Sequence, residues 1–108
     1  MLSKFVEITS KEQLDSLFES SYVQPVTLLK HSNSCGISAD VLYQFEDFDL
    51  TLNIIVIQEH RDLSNLTAEM TGHRHQSPQA FVLKDGKAIY HATHYGIDPA
   101  TIVAKLKS

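Results

Sequence analysis

Apolar residues along the chain switch between two spacings. Phe5-Val6-Glu7-Ile8 reads as a short strand, after which Leu14, Leu17 and Phe18 fall at helical spacing over Lys11 to about Ser20, with Thr9 or Ser10 placed to cap that helix. Val26-Thr27-Leu28-Leu29-Lys30, introduced by Pro25, is a mostly apolar run suited to a central strand covered on both faces. His31-Ser32-Asn33-Ser34 follows, and then Ile37, Val41, Leu42, Phe45 and Phe48 recur every three or four residues, which predicts an amphipathic helix. Thr51 to Ile57 is a further β-branched run, and Leu63 to Thr71 predicts a short helix closed by Gly72. Ala80 to Leu83 and Ala88 to Ala92 flank Lys84-Asp85-Gly86-Lys87, whose Asp-Gly pair permits a tight hairpin turn. Asp98-Pro99 opens a final helix with Ile102, Val103 and Leu106 on its apolar face. The order β-α-β-α-β-α-β-β-α predicts an α/β protein: a mixed central sheet of four to five strands with helices on both faces.

Length and composition narrow this picture. A chain of 108 residues suits one domain, residues 1–108, with one real core. Nine basic against thirteen acidic residues leave a net charge of −4, which provides no footprint for a phosphate backbone or an anionic membrane, so neither is an expected partner. The longest apolar run, Ile54-Ile55-Val56-Ile57, is too short to span a bilayer, and the opening MLSKFVEITSKEQ lacks the apolar stretch of a signal peptide. The expected location is the cytoplasm.

One cysteine is present, so a disulfide formed by this chain must join it to another molecule. Cys35 lies among polar neighbours at the junction of a predicted strand and helix, whereas a packing cysteine usually sits in an apolar run. At a helix start the unpaired amide hydrogens and the positive end of the helix dipole favour the thiolate, and Asn33, Ser34 and the Ser38 hydroxyl are candidates to add hydrogen bonds. For a thiol in general, a pKa lowered from about 8.5 to about 6 raises the thiolate fraction at pH 7 roughly 30-fold but lowers each thiolate's reactivity roughly 13-fold. Attack therefore gains little, while departure from a mixed disulfide becomes easier. Such a site favours exchange over storage. Gly36 is poorly suited to a helix interior and lets another backbone or a ligand approach the sulfur.

Cys35-Gly36-Ile37-Ser38, with Ser77-Pro78 ahead of a strand, resembles the monothiol members of the thioredoxin and glutaredoxin superfamily, whose thioredoxin-like fold has the predicted element order. The longer runs KHSNSCGISADVLYQFEDF and QSPQAFVLKDGKAIYHATHYGI, with the closing helix, are similar to the YtxJ family of bacillithiol-system proteins, the monothiol bacilliredoxins, over essentially the whole chain. Members of that family commonly carry Thr-Cys-Pro-Ile-Ser, and the departure here is Gly36, which brings the motif closer to the Cys-Gly-Phe-Ser of monothiol glutaredoxins. The resemblance implies a thiol–disulfide oxidoreductase that removes bacillithiol from S-bacillithiolated client proteins. Cys35 would be the nucleophile, with Ser34, Gly36, Ile37, Ser38, Ser77 and Pro78 around the thiol substrate. No cofactor is implied, bacillithiol being a co-substrate. With Ser38 where a dithiol enzyme has its resolving cysteine, a second low-molecular-weight thiol must complete the cycle. Pro78 would be a cis proline facing the cysteine and turning the Ser77 backbone toward an extended substrate.

Two other functions are compatible with the residues: an iron–sulfur cluster carrier, with Cys35 and an external thiol holding a cluster between two subunits, and a non-catalytic binding module. Six histidines invite a metal reading, above all His73-Arg74-His75, but no second cluster has zinc-ligand spacing. Surface polarity is the simpler expectation, with Arg74 and His75 near the mouth of the site, where bacillithiol's carboxylates would meet them. His31 at the end of its strand would favour the thiolate if protonated, though a hydrogen-bonded strand residue is the commoner case. His91 and His94 belong at the edge of the last strand.

Overall fold

The computed structural model describes residues 2–107. Strand β1 (Lys4–Glu7) leads through helix α1 (Lys11–Ser20) to β2 (Val26–His31). Helix α2 (Gly36–Phe45), strand β3 (Thr51–Val56) and helix α3 (Arg61–Thr71) follow, and the hairpin of β4 (Gln79–Lys84) and β5 (Lys87–Thr93) precedes a 3-10 turn (His94–Gly96) and helix α4 (Pro99–Leu106). The five strands form one sheet in the order β1-β3-β2-β4-β5. β1, β3 and β2 are parallel, and β4 and β5 are antiparallel additions at the β2 side.

Strand alternation divides the core. Leu29, Leu52, Ile54, Ala80 and Val82 face α2 and α4 with Val41, Phe45 and Ile102, whereas Leu28, Ile55, Phe81 and Leu83 face α1 and α3 with Leu14, Phe18 and Leu63. The expected mixed sheet with helices on both faces is what the chain forms.

Several boundaries moved for local reasons. Ser10 is the cap of α1, its side chain accepting from the Gln13 amide. α2 stops at Phe45, so Phe48 packs on the core from the following turn rather than from the helix. α3 starts two residues before Leu63, because its first turn needs no apolar residue, and it ends on Gly72 in the left-handed conformation. The 3-10 turn His94–Gly96 had no periodic signal. Its first residue, His94, has φ +53° and donates its amide to the Pro78 carbonyl at 3.0 Å.

The hairpin turn carries two left-handed residues, Asp85 (φ 53°) and Gly86 (φ 75°). Ser21, at the end of α1, latches it: its carbonyl accepts from the Asp85 amide at 2.9 Å and its hydroxyl from the Gly86 amide at 2.8 Å. A Cβ on Gly86 would meet the Tyr22 hydroxyl at 2.5 Å. Gly86→Ala is therefore expected to destabilise the protein by about 1–2 kcal/mol in urea unfolding. An unchanged midpoint would show that the turn relaxes freely.

Candidate active site

The carboxyl ends of β2 and β3, where crossovers leave the sheet, are where open α/β folds form ligand crevices. β2 delivers the chain into the segment Ser32–Ser34, and Cys35 follows as the N-cap of α2, half-buried. Its side chain makes no cap hydrogen bond, which leaves the sulfur available. The Ser38 amide, and after it the Ser38 hydroxyl and the Ile37 amide, hold the Cys35 thiol below its ordinary pKa against an opposing effect of burial. Ser38 is wholly buried and its hydroxyl also accepts from the Ser32 amide at 3.3 Å.

Ser38→Ala is therefore expected to raise the Cys35 pKa and to slow alkylation by iodoacetamide several-fold at pH 6, the two proteins converging as both ionise at high pH. Identical pH profiles would remove the Ser38 hydroxyl from thiolate stabilisation and leave the Ser38 amide, which both proteins keep.

Ser34 and Asn33 do not support the sulfur. Gln58, just beyond β3, takes them: its amide nitrogen donates to Ser32 Oγ (2.6 Å) and Ser34 Oγ (3.1 Å), and its Oε1 accepts from the Asn33 amide (3.1 Å). Gln58 thus fixes the loop ahead of Cys35, a role with no sequence signal beyond a polar residue after an apolar run. Ile37 is half-buried against the core, and Gly36 has open space where a Cβ would stand.

Ser77-Pro78 is a cis peptide bond, and the Ser77 hydroxyl is buried without a hydrogen-bond partner. The His94 amide ties this loop to the 3-10 turn. The next residue, Tyr95, donates its hydroxyl to Asp40 Oδ2 on α2 at 3.0 Å. Asp40 first and Cys35 among the lesser causes raise the Tyr95 pKa, so a phenol stands close enough to feel the thiolate. Sequence reading did not single out Tyr95 or Asp40, which lie 55 residues apart.

The histidines depart most from expectation. His31 does not assist the thiolate as a cation, because burial lowers its pKa, and its Nδ1 has no hydrogen-bond partner. His73 is half-buried, and His75, exposed as expected, also makes contacts inward. His73 stacks on His91 with ring centroids 3.9 Å apart, beside Phe81. His75 Nδ1 lies 2.9 Å from Ser64 Oγ and 3.3 Å from Nζ of Lys30. Arg74 is exposed, and its carbonyl accepts from Gln79, whose amide nitrogen also meets His91 at 2.9 Å. Lys30, read from the sequence as the end of an apolar strand, is completely buried, and desolvation lowers its pKa to about 8. The period-two pattern held the clue, since it puts Lys30 on the same face as Val26 and Leu28. Among the described residues no group of three or more His, Cys, Asp or Glu could hold a metal ion, and no helix is long and apolar enough to cross a membrane.

The family model of the monothiol bacilliredoxin BrxC matches residues 6–102. The chain belongs to the monothiol bacilliredoxin family. A solved structure described as having a thioredoxin fold is 30% identical, covers 96% of this chain and 94% of its own, and superposes with a TM-score of 0.83. The thioredoxins of Malassezia sympodialis (15% identity, 99% of this chain and 90% of theirs, TM-score 0.73) and Nicotiana alata (16%, 99% and 93%, 0.70) share the fold. This bacilliredoxin therefore has the thioredoxin fold and a thiol–disulfide redox role.

Proposed function

We propose that this bacilliredoxin removes bacillithiol from S-bacillithiolated proteins. The Cys35 thiolate attacks the bacillithiol sulfur of the mixed disulfide. A Cys35–bacillithiol disulfide forms, and the client leaves as a thiolate that takes a proton from solvent. A second bacillithiol, as thiolate, attacks the bacillithiol sulfur carried on Cys35, giving bacillithiol disulfide and restoring the Cys35 thiolate. The client sulfur is reduced, the one free bacillithiol is oxidised in its place, and it leaves joined to the bacillithiol taken from the client, so no resident cofactor takes part.

The observation that carries this reading is the single cysteine standing as an open N-cap with Ser38, not a second thiol, one turn on. An internal disulfide cannot form, so an external thiol must resolve the intermediate. Ser34, Gly36 and Ile37 on one side and Ser77 with cis Pro78 on the other would flank the bound disulfide. A proline here leaves the preceding backbone extended and free to pair with a cysteinyl segment.

The test is intact mass spectrometry after mixing with a client protein verified to carry bacillithiol. The expected result is a gain of one bacillithiol on this protein, a freed client thiol, and loss of the adduct on adding bacillithiol. A folded protein that acquires no adduct while the client stays modified would end this reading.

A further inference from the structure

Between the first turns of α3 and the loop leading to cis Pro78 lies a small cavity of about 90 Å³, lined by Ile57, Arg61, Ser64, Asn65 and His75. It adjoins the Cys35 loop through two chain neighbours: Gln58, next to Ile57, holds Ser32 to Ser34, and His75 is two residues from Ser77.

Its charges are unbalanced. Arg61 stands in its wall, and the wholly buried Lys30 lies behind His75. Among the described residues neither cation has a carboxylate within ion-pair distance. Asp62, the nearest acid in sequence, does not line the cavity. A buried ammonium whose recorded partner is one imidazole is an expensive arrangement unless an anion offsets it.

The donors are arranged in the same sense. A lysine ammonium can only donate, so His75 Nδ1 accepts, which puts the proton of the neutral imidazole on Nε2, an atom no other described residue engages. Burial first, then Lys30 and Arg61, lower the His75 pKa and keep that neutral form. Arg61, Asn65 and His75, all exposed at its rim, bring donor groups to the cavity, and no carboxylate is among its lining residues. The volume suits one acid group and not a larger ligand.

We infer that this cavity is a carboxylate-binding subsite beside Cys35, taking an acid group of the small thiol exchanged there. The inference rests on the proposed exchange reaction, and its test separates the two.

Sodium malate, which carries carboxylates and no thiol, is titrated into the full chain while amide and imidazole NMR signals are followed. Saturable shifts at Ser64, Asn65 and His75 are expected, with affinity falling about tenfold in Arg61→Gln and in Lys30→Met. In the exchange assay, Arg61→Gln should raise KM for bacillithiol about tenfold and leave kcat within about twofold, the pattern of lost uniform binding. The absence of saturable shifts at these residues overturns the subsite, whatever the exchange activity. A KM effect confined to the client protein overturns the assignment to the small thiol. Malate binding without any exchange leaves the carboxylate site standing and removes the proposed reaction instead.

Discussion

Cys35→Ser is expected to form no mixed disulfide and to free no client thiol, while the protein stays as stable as the wild type or gains up to about 1 kcal/mol. The chemical half follows from the nucleophile. A serine hydroxyl is not ionised at neutral pH and does not displace a thiolate from a disulfide, and the chain holds no second cysteine to take over. The stability half follows from position. Cys35 is half-buried at the N-cap of α2, where the Ile37 and Ser38 amides favour its thiolate but the thiol itself makes no cap bond, whereas serine is a preferred N-cap whose neutral oxygen accepts from those same amides. Mass spectrometry and urea midpoints on the same preparation check both halves. Residual exchange above background would place the chemistry elsewhere, and a large loss of stability would make Cys35 a packing residue as well.

Lys30→Met is expected to stabilise the protein by about 2 kcal/mol at pH 7 and by much less at pH 10. The Lys30 pKa falls from 10.5 to about 8 on burial, a difference on the order of 3 kcal/mol between the two protonation states. Below pH 8 both the folded and the unfolded chain hold the proton, and the folded chain bears the whole desolvation cost. Between pH 8 and 10.5 the folded chain has released its proton and the unfolded chain has not, so stability rises with pH. Above 10.5 the cost is gone. Methionine has a similar length, stands beside Leu28 on the same face of β2 and opposite Gln79, and removes the charge, the loss of the His75 contact offsetting part of the gain. Urea unfolding at pH 7 and pH 10 measures the difference. A methionine protein less stable than wild type at pH 7 would show that Lys30 is compensated in the folded state by more than His75. Under the inferred subsite the same substitution weakens carboxylate binding, so a destabilising lysine is retained where binding needs its charge.

How far the site could be read from the chain differs from residue to residue. Cys35 was legible because one cysteine among polar neighbours, between a β-branched run and a three- and four-residue apolar repeat, has a local meaning. Ser38 was legible for the same reason, being one turn away on the same helix. Gln58 was not, because its partners Ser32, Asn33 and Ser34 lie about 25 residues earlier and meet it only when β2 and β3 pair in parallel. Tyr95 and Asp40 meet through the 3-10 turn, which no hydrophobic periodicity announces. His75 is exposed, as expected, but its contacts with Ser64 and Lys30 were not legible, because a loop has no period from which to infer its facing.

The sequence by itself determined which segments are strands and which are helices, and that the cysteine starts a helix. Those choices depend on dihedral preference and on apolar spacing within a few residues, both of which are local. Only the tertiary structure decided which polar groups share a face of the sheet. The Lys30↔Gln79 and Phe81↔His91 pairings carry Lys30, Gln79 and His91 to the α3 side, where Ser64 and His75 close around the buried amine. Strand register sets such neighbours, a one-residue slip would send each to the opposite face, and register is fixed by the packing of the whole sheet rather than by any one segment.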